Sequence, residues 1–151
     1  MTEILPMTEQ SVKDIALCER TCFSSPWSEE GIRAELSNPT AHFFTLSFDG
    51  EFAGYCGMHE VCGECYIANI AVMPKFRRMG AASMLLKKLI SLCEENRWEF
   101  ISLEVRKSNM AAISLYEKFL FVPVGERKNF YTNPCEDAII MTRNFKTGDN
   151  I

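Results

Sequence analysis

Asn69-Ile70-Ala71-Val72-Met73-Pro74-Lys75-Phe76-Arg77-Arg78-Met79-Gly80-Ala81-Ala82 carries more of the fold than any other stretch of this chain. An apolar strand ends here, a proline-containing turn follows, and Arg77 and Arg78 lead into a helix that starts with small residues. A helix start leaves its first backbone N–H groups without internal acceptors, and the positive end of the helix dipole lies there as well. Such a place suits a phosphate or pyrophosphate. Gly80, Ala81 and Ala82 let the backbone come close to a ligand, and the arginines supply neutralising charge.

Working outward, residues 78–96 form the most regular helical pattern. Ala82, Leu85, Leu86, Leu89 and Cys93 share one face, and Ser83, Lys87, Lys88, Ser91, Glu94 and Glu95 the other. Phe100 to Val105 reads as a buried strand, Ser108 or Asn109 caps a helix to about Phe119, and strands near 121–130 and 136–143 follow. Upstream, a strand near 2–6 precedes a helix over 9–22. Ser28 caps a second helix over 29–37, which Asn38-Pro39 stops. A strand over 43–47, a turn at Asp49-Gly50, a partner over 51–61, a second tight turn at Gly63-Glu64 and a strand over 65–72 complete the reading. A meander followed by strand–helix–strand predicts a mixed α/β (α+β) fold: a seven-stranded, mostly antiparallel sheet with helices on both faces.

The length of 151 residues suits one domain over 1–151. With 47% apolar and 24% charged residues the composition is that of a soluble globular protein, and no apolar run approaches the ~20 residues of a membrane span. The opening Met-Thr-Glu-Ile-Leu-Pro has neither a basic region nor a long apolar one, so a cytoplasmic protein without a membrane partner is expected. A net charge of −4 argues against broad nucleic-acid binding. Seven cysteines scattered through apolar segments read as reduced thiols. Cys56, His59, Cys62 and Cys65 recur at a spacing that zinc sites use. However, residues 56 and 59 would point to opposite faces of a strand and 62 and 65 flank a turn, so no metal is expected.

Two residues stand out chemically. Glu104 interrupts Phe-Ile-Ser-Leu-Glu-Val-Arg on the face opposite Ile101, Leu103 and Val105, and a carboxylate there is paired, solvated or used. An ion pair to Arg106 or another base serves as well as catalysis. Tyr116 shares a helix face with Ala112 and Phe119, which fits a core tyrosine or a functional phenol.

Arg77-x-x-Gly80-x-Ala82 is similar to the pyrophosphate loop of the GNAT superfamily of N-acetyltransferases. The set N-I-A-V, R-R-M-G-A-A, L-E-V-R and S-N-x-x-A-x-x-L-Y resembles the branch that acetylates the N-terminal alanine of a ribosomal protein. Pro26-Trp27-Ser28-Glu29 and Glu136-Asp137-Ala138-Ile139-Ile140-Met141 agree with it, so the likeness runs from about residue 26 to 141. The resemblance implies a GNAT fold in which strands 4 and 5 splay apart to admit acetyl-CoA, the cosubstrate. It makes Glu104 the general base, acting through water on the substrate's α-ammonium, and Tyr116 the general acid for the departing thiolate. Ile70, Ala71 and Val72 would pair with the pantetheine arm, with a bulge aiming an N–H at the thioester carbonyl. Arg77, Arg78, Met79, Gly80, Ala81, Ala82 and Ser83 would hold the pyrophosphate, and Asn109 would contact the cofactor. Trp27 and Tyr131 would line the substrate side, where a ribosomal protein N-terminus binds. Transfer is direct, so the cysteines carry no catalytic burden. Relatives using the same machinery on a lysine or small amine, and a non-catalytic acetyl-CoA sensor, are the alternatives. Leu120 departs from the pattern, standing where glycine is usual; a left-handed leucine there costs about 1–2 kcal/mol.

Overall fold

The computed structural model describes residues 1–145; residues 146–151, the end of the domain expected over 1–151, lie outside the described residues. Among the described residues, seven strands form one sheet: β1 (Thr2–Pro6), β2 (Ala41–Phe48), β3 (Glu51–Val61), β4 (Glu64–Val72), β5 (Phe100–Arg106), β6 (Val122–Tyr131) and β7 (Glu136–Asn144). Their order is β1-β2-β3-β4-β5-β7-β6, and every pairing is antiparallel except β4 with β5. The α-helices of the described residues, α1 (Val12–Cys22), α2 (Glu29–Ala34), α3 (Ala81–Asn96) and α4 (Met110–Lys118), cover its faces. None is long and apolar enough to cross a membrane.

The element order expected from the sequence stands, and the differences lie at the ends. The helix expected over 9–22 begins as a 3-10 turn at Glu9–Ser11, and the one expected over 29–37 ends as a 3-10 turn at Glu35–Ser37. The second tight turn is Cys62-Gly63 rather than Gly63-Glu64. Both residues take positive φ, 53° and 85°, as do Asp49 and Gly50 in the first turn, at 50° and 83°. Two positive φ values in succession match the twist of the strands they join. Ser28 caps α2 by accepting from the Gly31 N–H at 3.0 Å, and Asn109 caps α4 by accepting from Ala112 at 3.2 Å.

The largest correction is at α3, which begins at Ala81 and not at 78. Pro74–Phe76 make a separate 3-10 turn, and Arg78 and Gly80 then adopt φ of 66° and 78°. A left-handed residue cannot propagate a right-handed helix. The backbone therefore makes a tight, nest-like turn before the helix can start.

Two apolar clusters sit on opposite faces of the sheet. The larger packs Leu85, Leu86, Leu89 and Cys93 of α3 on Cys56, Met58, Cys65, Ile67, Ile101 and Leu103. The smaller packs Val12, Ile15 and Ala16 of α1 and Ile32 of α2 on Phe43, Tyr55 and Ala71.

Candidate active site

β4 and β5 pair only over three positions, Glu64 with Phe100, Cys65 with Ile101 and Tyr66 with Ser102. Beyond them the strands separate around a cavity of about 760 Å³, lined by Ile67 to Ile70 of β4 and Leu103 to Arg106 of β5. Cys22 and Phe23 at the C-terminal end of α1, the cap residue Asn109 and Tyr116 of α4, and Phe130 and Tyr131 of β6 close its sides.

Along β4 the pairing with β3 runs Gly57 with Asn69 and then Met58 with Ile67, so Ala68 is an extra, bulged residue. The bulge reverses the alternation of the strand. Cys65 and Ile67 face the α3 cluster, whereas Ala68 and Ala71 face the α1 cluster. The backbone has its own alternation. The Met73 N–H donates to the Ala53 carbonyl at 2.8 Å, so the hydrogen-bonded pairs further along are Ala71 with Tyr55 and Asn69 with Gly57. Ile70 and Val72 consequently turn their backbone groups away from β3, into the gap. Of Ile70, Ala71 and Val72, it is the first and last whose backbone groups face the gap. The Val72 carbonyl already accepts from Arg77 Nε at 3.2 Å and from Cys22 Sγ at 3.4 Å.

The loop before α3 offers unbonded donors. The first backbone bond of the helix runs from Met84 N–H to the Gly80 carbonyl at 3.0 Å, leaving the N–H groups of Ala81, Ala82 and Ser83 ahead of it. Met79 is exposed, Ala81 is buried, and Ala82 and Ser83 are half-buried. The two arginines differ. Arg77 is committed to the fold through Val72 and through Cys22 Sγ at 3.5 Å, while the Arg78 head makes no ion pair or hydrogen bond among the described residues.

Glu104 and Tyr116 meet at the cavity from opposite faces of the sheet. Glu104 stands on the α1 side, since Ile101, Leu103 and Val105 point into the α3 cluster. Its Oε2 accepts from Arg127 Nε at 3.0 Å, and its Oε1 has no hydrogen bond among the described residues. Arg106 is not its partner: it donates to Glu136 Oε1 at 3.2 Å and lies 4.5 Å over the Tyr131 ring. Tyr116 packs against the α3 cluster, and burial pushes its phenol up to about 12. Its position is fixed by the end of α4. The Phe121 N–H donates to the Tyr116 carbonyl and the Leu120 N–H to Glu117, each at 3.0 Å. This double closure is a Schellman motif. It puts Leu120 at φ 70°, the left-handed conformation that glycine would take without strain, and seats the Tyr116 ring 5.7 Å from Phe121.

Tyr131 lines the cavity, and burial pushes its phenol up to about 12. Trp27 stands behind the lining: its ring packs 6.1 Å from Phe43 in the α1 cluster. The cysteine–histidine set does not converge. Cys56 Sγ donates to the Leu85 carbonyl, Cys65 Sγ lies 3.7 Å from Cys93 Sγ, His59 Nε2 pairs with Glu35 at 2.9 Å, and Cys62 is exposed. No group of three or more metal-binding side chains gathers among the described residues.

Two groups that line the cavity, Glu136 and Cys22, and one buried behind it, Glu19, escaped the sequence. Glu136 accepts from Ser108 N–H at 2.7 Å, and its hydrogen bonds from Ser108, ahead of Arg106, hold its carboxyl below the usual range. The Cys22 thiol is lowered to about 6, first by a hydrogen bond from Cys18 and then by Arg77. Glu19, fully buried on α1, accepts from Trp27 N–H at 2.9 Å, from Asn69 Nδ2 at 2.8 Å and from the Tyr55 hydroxyl. A signal for Glu19 did exist: it falls on the stripe Val12, Ile15, Ala16, where an apolar residue belongs.

A sheet opened between two parallel strands, with a backbone nest at one end and Glu104 and Tyr116 both lining the gap, is the architecture of an acyl-transferring fold. Residues 12–121 match the Acetyltransferase (GNAT) family, and the chain belongs to that family. It is 37% identical to the Escherichia coli K12 [ribosomal protein bS18]-alanine N-acetyltransferase over 82% of this chain and 84% of that one. It is 40% identical to a Bacillus subtilis protein provisionally named for the same activity, over 89% of this chain and 90% of the relative. The crystal structure of the ribosomal-protein-S18-alanine N-acetyltransferase from Escherichia coli superposes with a TM-score of 0.91 at 32% identity, covering 100% of this chain and 99% of the other.

Proposed function

We propose that this chain is a single-domain cytoplasmic enzyme that moves an acetyl group from acetyl-CoA to the α-amine of a ribosomal protein's N-terminal alanine. The observation that carries this reading is the pairing of Glu104 and Tyr116 across one gap, each reaching it from a different face of the sheet. The names of the relatives at 37–40% identity favour a peptide N-terminus over a lysine or a small amine.

The residues present fit acetyl-CoA. Ile70 and Val72 offer a strand edge for an amide-bearing arm, and the N–H groups ahead of Met84, with Arg78, suit a pyrophosphate. When bound, acetyl-CoA supplies the acetyl group as a reactive thioester. Glu104 Oε1 takes the ammonium proton through a water, since an α-amine with a pKa of about 8 is largely protonated at neutral pH and cannot attack in that form. The Tyr116 hydroxyl holds the proton needed on the leaving side, and its raised pKa keeps that proton in place at working pH. Asn109 fixes the start of α4 and so the height of Tyr116. Tyr131, braced by Arg106, walls the peptide side, and Trp27 supports the loop between α1 and α2 from behind.

Intact-mass analysis with acetyl-CoA and three peptides tests the reading: one with a free N-terminal alanine, the same with a blocked N-terminus, and one with an internal lysine. One acetyl group on the free-terminus peptide alone is expected. Modification of the blocked peptide would move the activity to lysine, and no transfer to any peptide despite cofactor binding would point to a small-molecule amine or to a sensor.

A further inference from the structure

The buried carboxylate of Glu19 has no part in the mechanism above, yet it governs one polar side chain in the cavity. Asn69 sits immediately after the Ala68 bulge and lines the cavity. Its Nδ2 donates to Glu19 Oε2 at 2.8 Å, on the side away from the gap. A carboxylate only accepts, so it fixes which end of the amide is which. The Oδ1 makes no hydrogen bond among the described residues, and no buried side-chain oxygen or nitrogen there lacks a partner, so Oδ1 opens to the cavity.

Its level along the strands matters as much as its direction. Continuing the parallel register from Tyr66 with Ser102 brings Ala68 level with Glu104, and Asn69 is the next residue. Both side chains lie on the α1 face: Asn69 because the bulge reversed the strand's alternation, Glu104 because its neighbours Leu103 and Val105 face α3. A carboxylate and an unpaired carbonyl oxygen therefore face the same end of the gap, on the face opposite Tyr116. Neither group donates from these atoms. A species with several N–H donors suits the space between them.

We infer that Asn69 Oδ1 accepts an N–H from the acceptor's primary amine and aims its lone pair at the acetyl carbon, with Glu19 as the positioning residue that holds the amide in this sense; this rests on the reading of the chain as an amine acetyltransferase. The Trp27 N–H and Tyr55 hydroxyl complete the carboxylate's shell. A buried carboxylate held by three donors has one stable arrangement, so the amide it orients has one as well.

Glu19→Gln makes the sharper test because it keeps the volume. The Trp27 N–H is a fixed donor and takes the glutamine oxygen, leaving the glutamine NH2 toward Asn69. Asn69 must then turn its oxygen inward and its NH2 into the cavity, replacing an acceptor with a donor. Glu19→Gln and Asn69→Ala should each lower kcat/KM for the amine about 10–100-fold, the weight of one hydrogen bond to a charged or reacting partner. The KM for acetyl-CoA should not move. The double variant should be no worse than the worse single one, because both remove the same interaction.

The measurement uses whichever amine peptide the wild type modifies. Asn69→Ala with acceptor kcat/KM like that of wild type, or losses that multiply in the double variant, would overturn the inference while leaving the transferase reading intact. A wild type that acetylates no amine would sink the reading and this inference with it. If Glu19→Gln does not fold, Asn69→Ala decides alone, through the split between the KM of the amine and that of acetyl-CoA.

Discussion

The two faces of the sheet are built to different rules. Under α3, the cluster of Leu85, Leu86, Leu89, Met58, Ile101 and Leu103 is apolar throughout. Under α1, the cluster of Val12, Ile15, Ile32, Phe43 and Tyr55 surrounds a fully buried carboxylate, Glu19. Burying Glu19 is costly unless every oxygen is satisfied, and three donors satisfy it. An apolar face stabilises by area removed from water and is insensitive to direction. A hydrogen-bonded face fixes angles. The first holds the sheet together; the second sets where side chains enter the gap.

If that division holds, substitutions on the two sides should separate activity from stability. Glu104→Gln gives the largest expected effect on turnover: kcat should fall about 10²–10⁴-fold if the proposed base is lost. Its ion pair with Arg127 is partly exposed, so thermal unfolding should shift by no more than about 1 kcal/mol. A loss of stability instead of activity would make Glu104 structural.

Tyr116→Phe comes next, with about 10²-fold loss in kcat. The pH profile sharpens it. An acid works only while protonated, and the Tyr116 phenol, raised by burial to about 12, stays protonated below that pH. The wild-type rate should therefore rise as the acceptor amine deprotonates near pH 8 and stay level at higher pH, with no falling limb until pH approaches the phenol's pKa. A decline beginning near pH 9 would assign the acid role elsewhere.

Leu86→Ala addresses the apolar face. It should cost about 2–5 kcal/mol in unfolding free energy, measured by denaturant titration, with kcat unchanged where the variant is folded. A drop in kcat without loss of stability would break the division between the faces. Leu120→Gly is the smallest effect and has the opposite sign. It removes a left-handed leucine from the Schellman turn and should stabilise the protein by about 1 kcal/mol.

How much of this was legible in the chain varies by element. The α3 stripe was legible because helical spacing is local, and both caps were legible because Ser28 and Asn109 bond three residues ahead. The start of α3 was misplaced by three residues, since small and basic residues suit a helix and nothing local announces that Arg78 takes a positive φ. Glu104 and Tyr116 were found as candidates, but the sequence offered Arg106 as a partner for Glu104. Only the return of β6 brings Arg127 to it instead. The sequence shows Asn69 only as part of a strand, because its importance depends on a bulge, and a bulge is a relation between two strands.

The sequence by itself determined the order of elements, the apolar face of each, the turns and caps, and the motifs that mark the family, all set by interactions within a few residues. Tertiary structure alone decided that the splay begins after Tyr66 and that the bulge falls at Ala68, together with the distribution of bonds around Glu19 and the approach of Glu104 and Tyr116 from opposite faces. Each of these depends on groups far apart in the chain, whose mutual geometry is fixed only once the sheet has closed around them.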